Sequence, residues 1–231
     1  MIVASHQPNF MPYMGFFYKM YLCDVFTISD AVQYSRQGYH NYNFFNEAGA
    51  RKKLTVPVSA HNGDSINEVL LSDWEYNQKK LKKRIEGFYC KAPHFKSLYP
   101  YIEPILTDSY ESLVDLNVRL LLMFNMLLEI DCPFYKESVL DIKGATATEQ
   151  IVDICRKTQC DTYLSGMGAV EYLDTDLLKR NGIKLRWSEY EPLEYGSVPN
   201  ASAFDYLMYC GKGAPDSWKR DKERLRYGKD V

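Results

Sequence analysis

Residues 2 to 30 impose a β–loop–α–β order on whatever this chain becomes. Ile2-Val3-Ala4-Ser5 is a short apolar run that reads as a buried strand. His6-Gln7-Pro8-Asn9-Phe10-Met11-Pro12-Tyr13-Met14-Gly15 follows, dense in polar side chains, Pro and aromatics. Phe16 to Asp24 reads as a helix. Val25-Phe26-Thr27-Ile28 reads as a second strand, ending in Ser29-Asp30. Polar groups are thus presented where two strands end and a helix begins, the place where α/β folds put ligands.

The rest of the chain keeps that alternation at both ends and loses it in the middle. Lys53 to Val58 is apolar enough to suit a strand buried on both faces. His61-Asn62-Gly63-Asp64-Ser65 is a turn cluster, and Ile66 to Leu71 a short strand. A helix begins at Asp73 and runs to about Cys90. Pro93 and Pro100 punctuate the next stretch, after which Tyr101 to Leu106 and Ser112 to Ile130 read as helices. Phe134 to Val139 is a strand. Thr146-Ala147-Thr148-Glu149 has the form of a capping box before a helix over Ile151 to Lys157. Asp161 to Ser165 is a strand, Val170 to Asp174 and Leu177 to Asn181 are short helices, and Ile183 to Trp187 is a strand. The expected fold is a three-layer α/β domain over residues 1–231, its sheet mostly parallel or mixed. A helical insertion occupies about 73–131, and a charged tail begins near 216.

Composition narrows the partners. The net charge of −2 gives no footprint for a nucleic acid. The most apolar segment, Val118 to Ile130, is interrupted by Arg119, Asn125 and Glu129, falls short of the ~20 residues that span a bilayer, and reads as a buried helix. No signal peptide pattern opens the chain, so the cytoplasm is the expected location. The six Cys include no Cys-x-x-Cys and read as mostly buried, reduced thiols. His40, His61 and His94 have no metal-ligand spacing, and no metal is expected. The 19 Tyr supply aromatic faces that suit stacking on sugars or bases as well as packing.

The candidate site follows from the strand ends. His6 sits directly after a strand and before a Pro, where an imidazole can bind phosphate or transfer a proton. Asp30 closes the second strand and is the candidate partner in catalysis. Gln7, Asn9 and Tyr13 share the His6 loop, Lys19 can reach back from the first helix toward an anion, and Gln33 follows Asp30. Asn41 and Asn43 offer amides suited to a sugar or an amide-bearing substrate. Ser165, Gly166 and Gly168 form a small-residue turn between strand and helix that lets backbone N–H groups approach an anion.

These residues also carry a resemblance. His6-Gln7-Pro8, Pro12, Gly15-Phe16-Phe17, Lys19, Asp24, Asp30 and Val32-Gln33-Tyr34 match in order, as do Leu54-Thr55-Val56-Pro57-Val58, Tyr163 to Gly168, Tyr172-Leu173-Asp174 and Ser202-Ala203-Phe204-Asp205. Together they resemble the WbqC-like family across nearly the whole chain. One position departs: the family's Asn-Arg-Asn is Asn41-Tyr42-Asn43 here, so no cation stands at the middle position. The resemblance implies surface-polysaccharide (O-antigen) biosynthesis, with transfer of an amino-acyl group such as glycine to an amino sugar or sugar nucleotide. ATP or an activated acyl donor would then be needed, and a homodimer is a compatible assembly. A non-catalytic sugar-nucleotide-binding role is the rival. The layout of strand, His, Pro and helix is also similar to nucleotidyltransferases of the pantothenate-synthetase type. The second His of their His-x-Gly-His pattern and a Lys-Met-Ser-Lys-Ser segment are absent.

Overall fold

The computed structural model describes residues 1–196 and 198–228. The first strand, β1 (Ile2–His6), is followed by helix α1 (Met14–Leu22) and β2 (Val25–Ile28). A hairpin of β3 (Tyr42–Glu47) and β4 (Ala50–Thr55) comes next, then the short antiparallel pair β5 (Val58–Ser59) and β6 (Leu70–Leu71). Three helices fill the middle: α2 (Trp74–Tyr89), α3 (Phe95–Thr107) and α4 (Leu113–Leu127). The chain then runs β7 (Phe134–Lys136), α5 (Glu137–Leu140), α6 (Ala147–Lys157), β8 (Thr162–Gly166), α7 (Thr175–Arg180) and β9 (Lys184–Ser188). Helices α8 (Ala203–Cys210) and α9 (Ser217–Arg226) complete it.

Five strands form one parallel sheet in the order β7-β2-β1-β8-β9. Counted by entry into the sheet this is 3-2-1-4-5, the doubly wound order. The chain winds outward from β1 in one direction, then crosses to the other side of β1 and winds outward again. The reversal falls between β1 and β8, whose carboxyl ends diverge there and leave a crevice.

Strand alternation divides the core in two. Ile2, Ala4, Phe26, Ile28 and Leu164 face α1 and the middle helices, joined there by Phe16, Phe17, Leu120 and Phe124. Val3, Val25 and Tyr163 point the other way and pack on Ile151, Ile154 and Cys155 of α6 and Leu178 of α7. Two buried faces on one parallel sheet give three layers.

Several expectations need correction. The strand read over 66–71 is a 3₁₀ helix at Ile66–Glu68 followed by the two-residue β6. The strand read as doubly buried over 53–58 is instead the exposed arm of a hairpin, ending at Thr55. Its cations lie on aromatic faces, Arg51 3.6 Å from the Phe44 ring centre and Lys53 3.5 Å from that of Tyr42, which leaves the charges in water. Pro100 does not break a helix: α3 runs through Pro100 and Pro104, because Leu98, Tyr99, Ile102 and Leu106 bury one stripe and outweigh the lost backbone bonds. The turn after β8 is a 3₁₀ helix at Met167–Ala169 rather than a helix over 170–174. Within α4, Leu121 is fully buried but Leu122 is 48% exposed, so the apolar run does not mean uniform burial. The charged tail forms α9, with Trp218 and Leu225 buried against the core. Residues 229–231 of that expected tail lie outside the described residues.

Candidate functional site

The crevice between β1 and β8 is a two-lobed cleft. Consecutive strand residues point to opposite faces. His6 therefore follows Ile2 and Ala4 toward the α1 side, while Ser5 follows Val3 toward α6. The α1-side lobe, about 540 Å³, is walled by Asn9, Tyr13, Gly15, Tyr39 and Tyr190. The α6-side lobe, about 480 Å³, is walled by Ser5, Ser29, Glu137, Gln150, Ile154 and Tyr172. His6, Lys19, Gly166 and Gly168 line both lobes and mark their junction.

The junction holds a neutral acceptor beside a cation. His6 Nδ1 lies 3.0 Å from the Gln7 carbonyl oxygen. A carbonyl oxygen only accepts, so Nδ1–H donates and the Nε2 lone pair is left for a ligand. The ring packs edge-on to Phe16. Burial, then the neighbouring Lys19 charge, pulls the His6 imidazole down to about 3. Lys19 turns back from α1 and donates to the Ser5 carbonyl oxygen at 2.8 Å. Burial lowers its ammonium to about 8, so it stays mostly charged near neutrality and keeps two further donors. A half-buried cation lining a cleft without a carboxylate partner is an anion site in waiting.

The β8 end adds room. Gly166 and Gly168 have ordinary negative φ, and a Cβ on either would meet nothing within 4 Å. Their bareness serves no internal packing; it leaves the backbone open to whatever occupies the cleft. Ser165 is buried, lines the α6-side lobe and turns its hydroxyl toward the Gly166 carbonyl oxygen at 3.4 Å. Gly15 is bare for the opposite reason. A Cβ there would come within 2.4 Å of the Tyr13 ring, which covers it and walls the α1-side lobe.

Of the residues expected from sequence, His6, Gln7, Lys19, Ser165, Gly166 and Gly168 converge on this cleft, joined by Asn9 and Tyr13 in the α1-side lobe. Asn43 borders that lobe, but its amide is committed: Nδ2 donates to the Phe10 and Met11 carbonyls at 3.2 and 2.6 Å, and Oδ1 accepts from Phe44 N–H at 2.8 Å. Asn41 donates to the Val56 carbonyl at 2.9 Å and stands apart from both lobes. Gln33 lines a separate depression with Tyr34 and His61. Asp30 is fully buried, and its two oxygens accept from Ser138 N–H at 2.9 Å and Ser138 Oγ at 2.5 Å. It anchors the start of α5 rather than facing the cleft.

Glu137 was not found by sequence reasoning, because the β7 strand was expected to run through it to Val139. The strand stops at Lys136, and Glu137 opens α5 with its carboxylate over the sheet end. It is 5% exposed, and its Oε1 accepts from Thr27 Oγ1 at 2.7 Å and lies within hydrogen-bonding distance of Ser29 Oγ at 2.9 Å and of Ser5 Oγ, the two serine hydroxyls also bonding each other at 2.6 Å. The register explains the gathering. Ser5 pairs with Thr27 across β1 and β2, and Ser29 lies two residues on, so all three hydroxyls share the α6 face. Among the described residues no three His, Cys, Asp or Glu side chains gather as a metal set. No helix among them is long and apolar enough to cross a membrane.

The match to a model of the WbqC-like protein family covers residues 7–217, and the chain belongs to that family. It is also similar to a protein of Mycobacterium tuberculosis (strain ATCC 25618 / H37Rv), 28% identical over 225 residues, spanning 93% of this chain and 96% of the relative. That relative is named only as uncharacterized protein Rv1507c, so it lends no activity.

Proposed function

We propose that the protein is a two-substrate transferase of bacterial surface-glycan biosynthesis, joining an amino-acyl group such as glycine to an amino sugar or sugar nucleotide. The observation that carries this reading is the pair of lobes meeting at His6 and Lys19. Two compartments with one shared junction suit two ligands that react where they touch. The aromatic lobe, with Tyr13, Tyr39 and Tyr190, suits a sugar or base. Lys19 offsets the charge of a phosphate on the nucleotide or on the activated acyl group. In the transfer, the acceptor's neutral amine attacks the acyl carbon. The new C–N bond forms as the bond to the leaving phosphate oxygen breaks, and that oxygen keeps the electron pair. The amine proton leaves by way of His6 Nε2, which carries the lone pair for it.

The strand order favours a second reading. A 3-2-1-4-5 parallel sheet with a His and a helix start at the switch point also suits ATP-dependent nucleotidyl transfer. One assay separates the two. The purified protein is incubated with an amino-sugar nucleotide, glycine and ATP, or with a pre-activated glycyl donor, and products are read by mass spectrometry. The transferase reading expects a sugar nucleotide heavier by one glycyl group. Pyrophosphate released without any sugar supports the second reading. No product from any of these mixtures contradicts both.

A further inference from the structure

We infer that Glu137 recognises a primary ammonium group in the α6-side lobe, which on the reading above is the α-ammonium of the amino-acyl donor. The case rests on a carboxylate buried without a counter-charge. All three hydroxyls lie within hydrogen-bonding distance of Oε1, with Ser5 and Ser29 also sharing a 2.6 Å bond between their hydroxyls, and Oε2 takes no hydrogen bond from any described residue. No Lys, Arg or His side chain among the described residues forms an ion pair with it. An ionised carboxylate held in an apolar setting is costly unless a cation and donors satisfy it. Hydroxyls satisfy one oxygen; the second opens on a lobe whose other walls include Ile151, Ile154, Ala169 and Leu173. The occupant that best answers Oε2 is therefore a compact donor with positive charge, and an ammonium offers three N–H groups.

The surroundings fix the geometry. Ser5, Thr27 and Ser29 hold Oε1 from two paired strands, so the carboxylate cannot swing away. Asp30 grips Ser138, the next residue, through both oxygens and locks the backbone that carries Glu137. Asp30 is thus a positioning residue for the carboxylate. Lys19, at the lobe's edge, repels an ammonium and attracts the phosphate or carboxyl end of the same molecule, which orients an amino-acyl donor with its amine toward Glu137 and its reacting carbonyl toward the junction.

The test uses glycinamide, which has the amine and a neutral carbonyl end, and acetamide, which lacks the amine. Ligand-observed NMR at millimolar concentration reads binding to the whole protein. Glycinamide is expected to bind, acetamide to bind at least tenfold more weakly, and glycinamide binding to fade as pH rises and the amine loses its proton. Glu137→Gln keeps an acceptor for the three hydroxyls and removes the charge; it should weaken glycinamide at least tenfold while leaving the affinity for ADP within twofold. Equal binding of acetamide and glycinamide to the unaltered protein, or no glycinamide binding at all, overturns the inference, whether or not Glu137→Gln folds. So does Glu137→Gln binding glycinamide as tightly as the unaltered protein, or Mg²⁺ alone competing it away from Glu137. This readout is independent of turnover. Amine binding without any glycyl product leaves the inference standing and removes the transferase reading, whereas product formation indifferent to Glu137→Gln does the reverse.

Discussion

At the end of β1 the chain leaves hydrogen-bonding capacity unspent; at the end of β2 it spends nearly all of it. His6 uses Nδ1 on its neighbour's carbonyl and keeps Nε2, and Lys19 uses one donor on Ser5. Asp30, by contrast, gives both carboxylate oxygens to Ser138, and its backbone carbonyl accepts from Asn67 N–H at 2.9 Å. Asn43, on the neighbouring hairpin, has committed its amide to the backbone of residues 10, 11 and 44. Both regions are polar, both flank strands, and both carry side chains suited to catalysis. What separates them is whether the fold has already used those groups. A polar side chain that completes the backbone of another segment builds a site; one with an open valence is available to a ligand.

The comparison is broken most easily by stability. Asp30→Ala removes two hydrogen bonds to a charged acceptor and strands the Ser138 donors, so it should cost about 3 kcal/mol in chemical denaturation. His6→Ala should cost much less, under about 1 kcal/mol, because the neutral ring at the cleft makes one polar contact, to the carbonyl of its own neighbour Gln7. If the two costs are reversed, the roles assigned to the two strand ends are reversed too.

Binding sharpens it next. Lys19→Met keeps the apolar stem and removes the charge. Calorimetry with ADP or a sugar nucleotide should show at least a tenfold loss, about 1.4 kcal/mol. The loss should shrink at high salt as screening rises. Asn43→Asp, which changes a residue bordering the cleft whose amide is already spent, should disturb stability before it disturbs per-molecule affinity.

The smallest effects are in the pH dependence, and their signs follow from the direction of each shift. The His6 imidazole sits near 3 in the folded protein against an ordinary value near 6.5. The unfolded chain binds more protons between those values, so stability falls as pH drops from about 6.5 toward 3. His6→Gln should flatten that acid limb. Lys19, lowered from 10.5 to about 8, gives the same sign at alkaline pH, its cost to stability being relieved as pH rises from about 8 to 10.5. Affinity for a phosphate moves the opposite way and should decline once pH passes about 8, a step absent in Lys19→Met.

Much of this was legible from residues alone, and the exceptions share a cause. The β–loop–α–β opening, the parallel sheet and the helical middle follow from periodicity and punctuation, which are local. His6, Lys19 and the Ser165-Gly166 turn were legible because they sit at strand ends in a fold that places sites there. The inward turn of Asp30 and Asn43 was not, since it depends on Ser138 and on residues 10 and 11, distant in sequence or met only through a loop. Glu137 was hidden by a single boundary: ending β7 at Lys136 rather than Val139 converts an edge residue into the carboxylate over the cleft. The exposed Leu122 shows the same limit, because an unbroken apolar run does not say which side of a helix meets the core.

The central claim is that the crevice between β1 and β8 is the ligand site and that the β2 end only supports it. A crystal structure of the protein soaked with an amino-sugar nucleotide tests it directly. Phosphate oxygens are expected within hydrogen-bonding distance of Lys19 Nζ or His6 Nε2, the sugar or base against Tyr13 and Tyr190, and Asp30 still bound to Ser138. A nucleotide seated in the Gln33–His61 depression, or one that pulls Asp30 away from Ser138 to contact it while His6 and Lys19 stay bare, would contradict it.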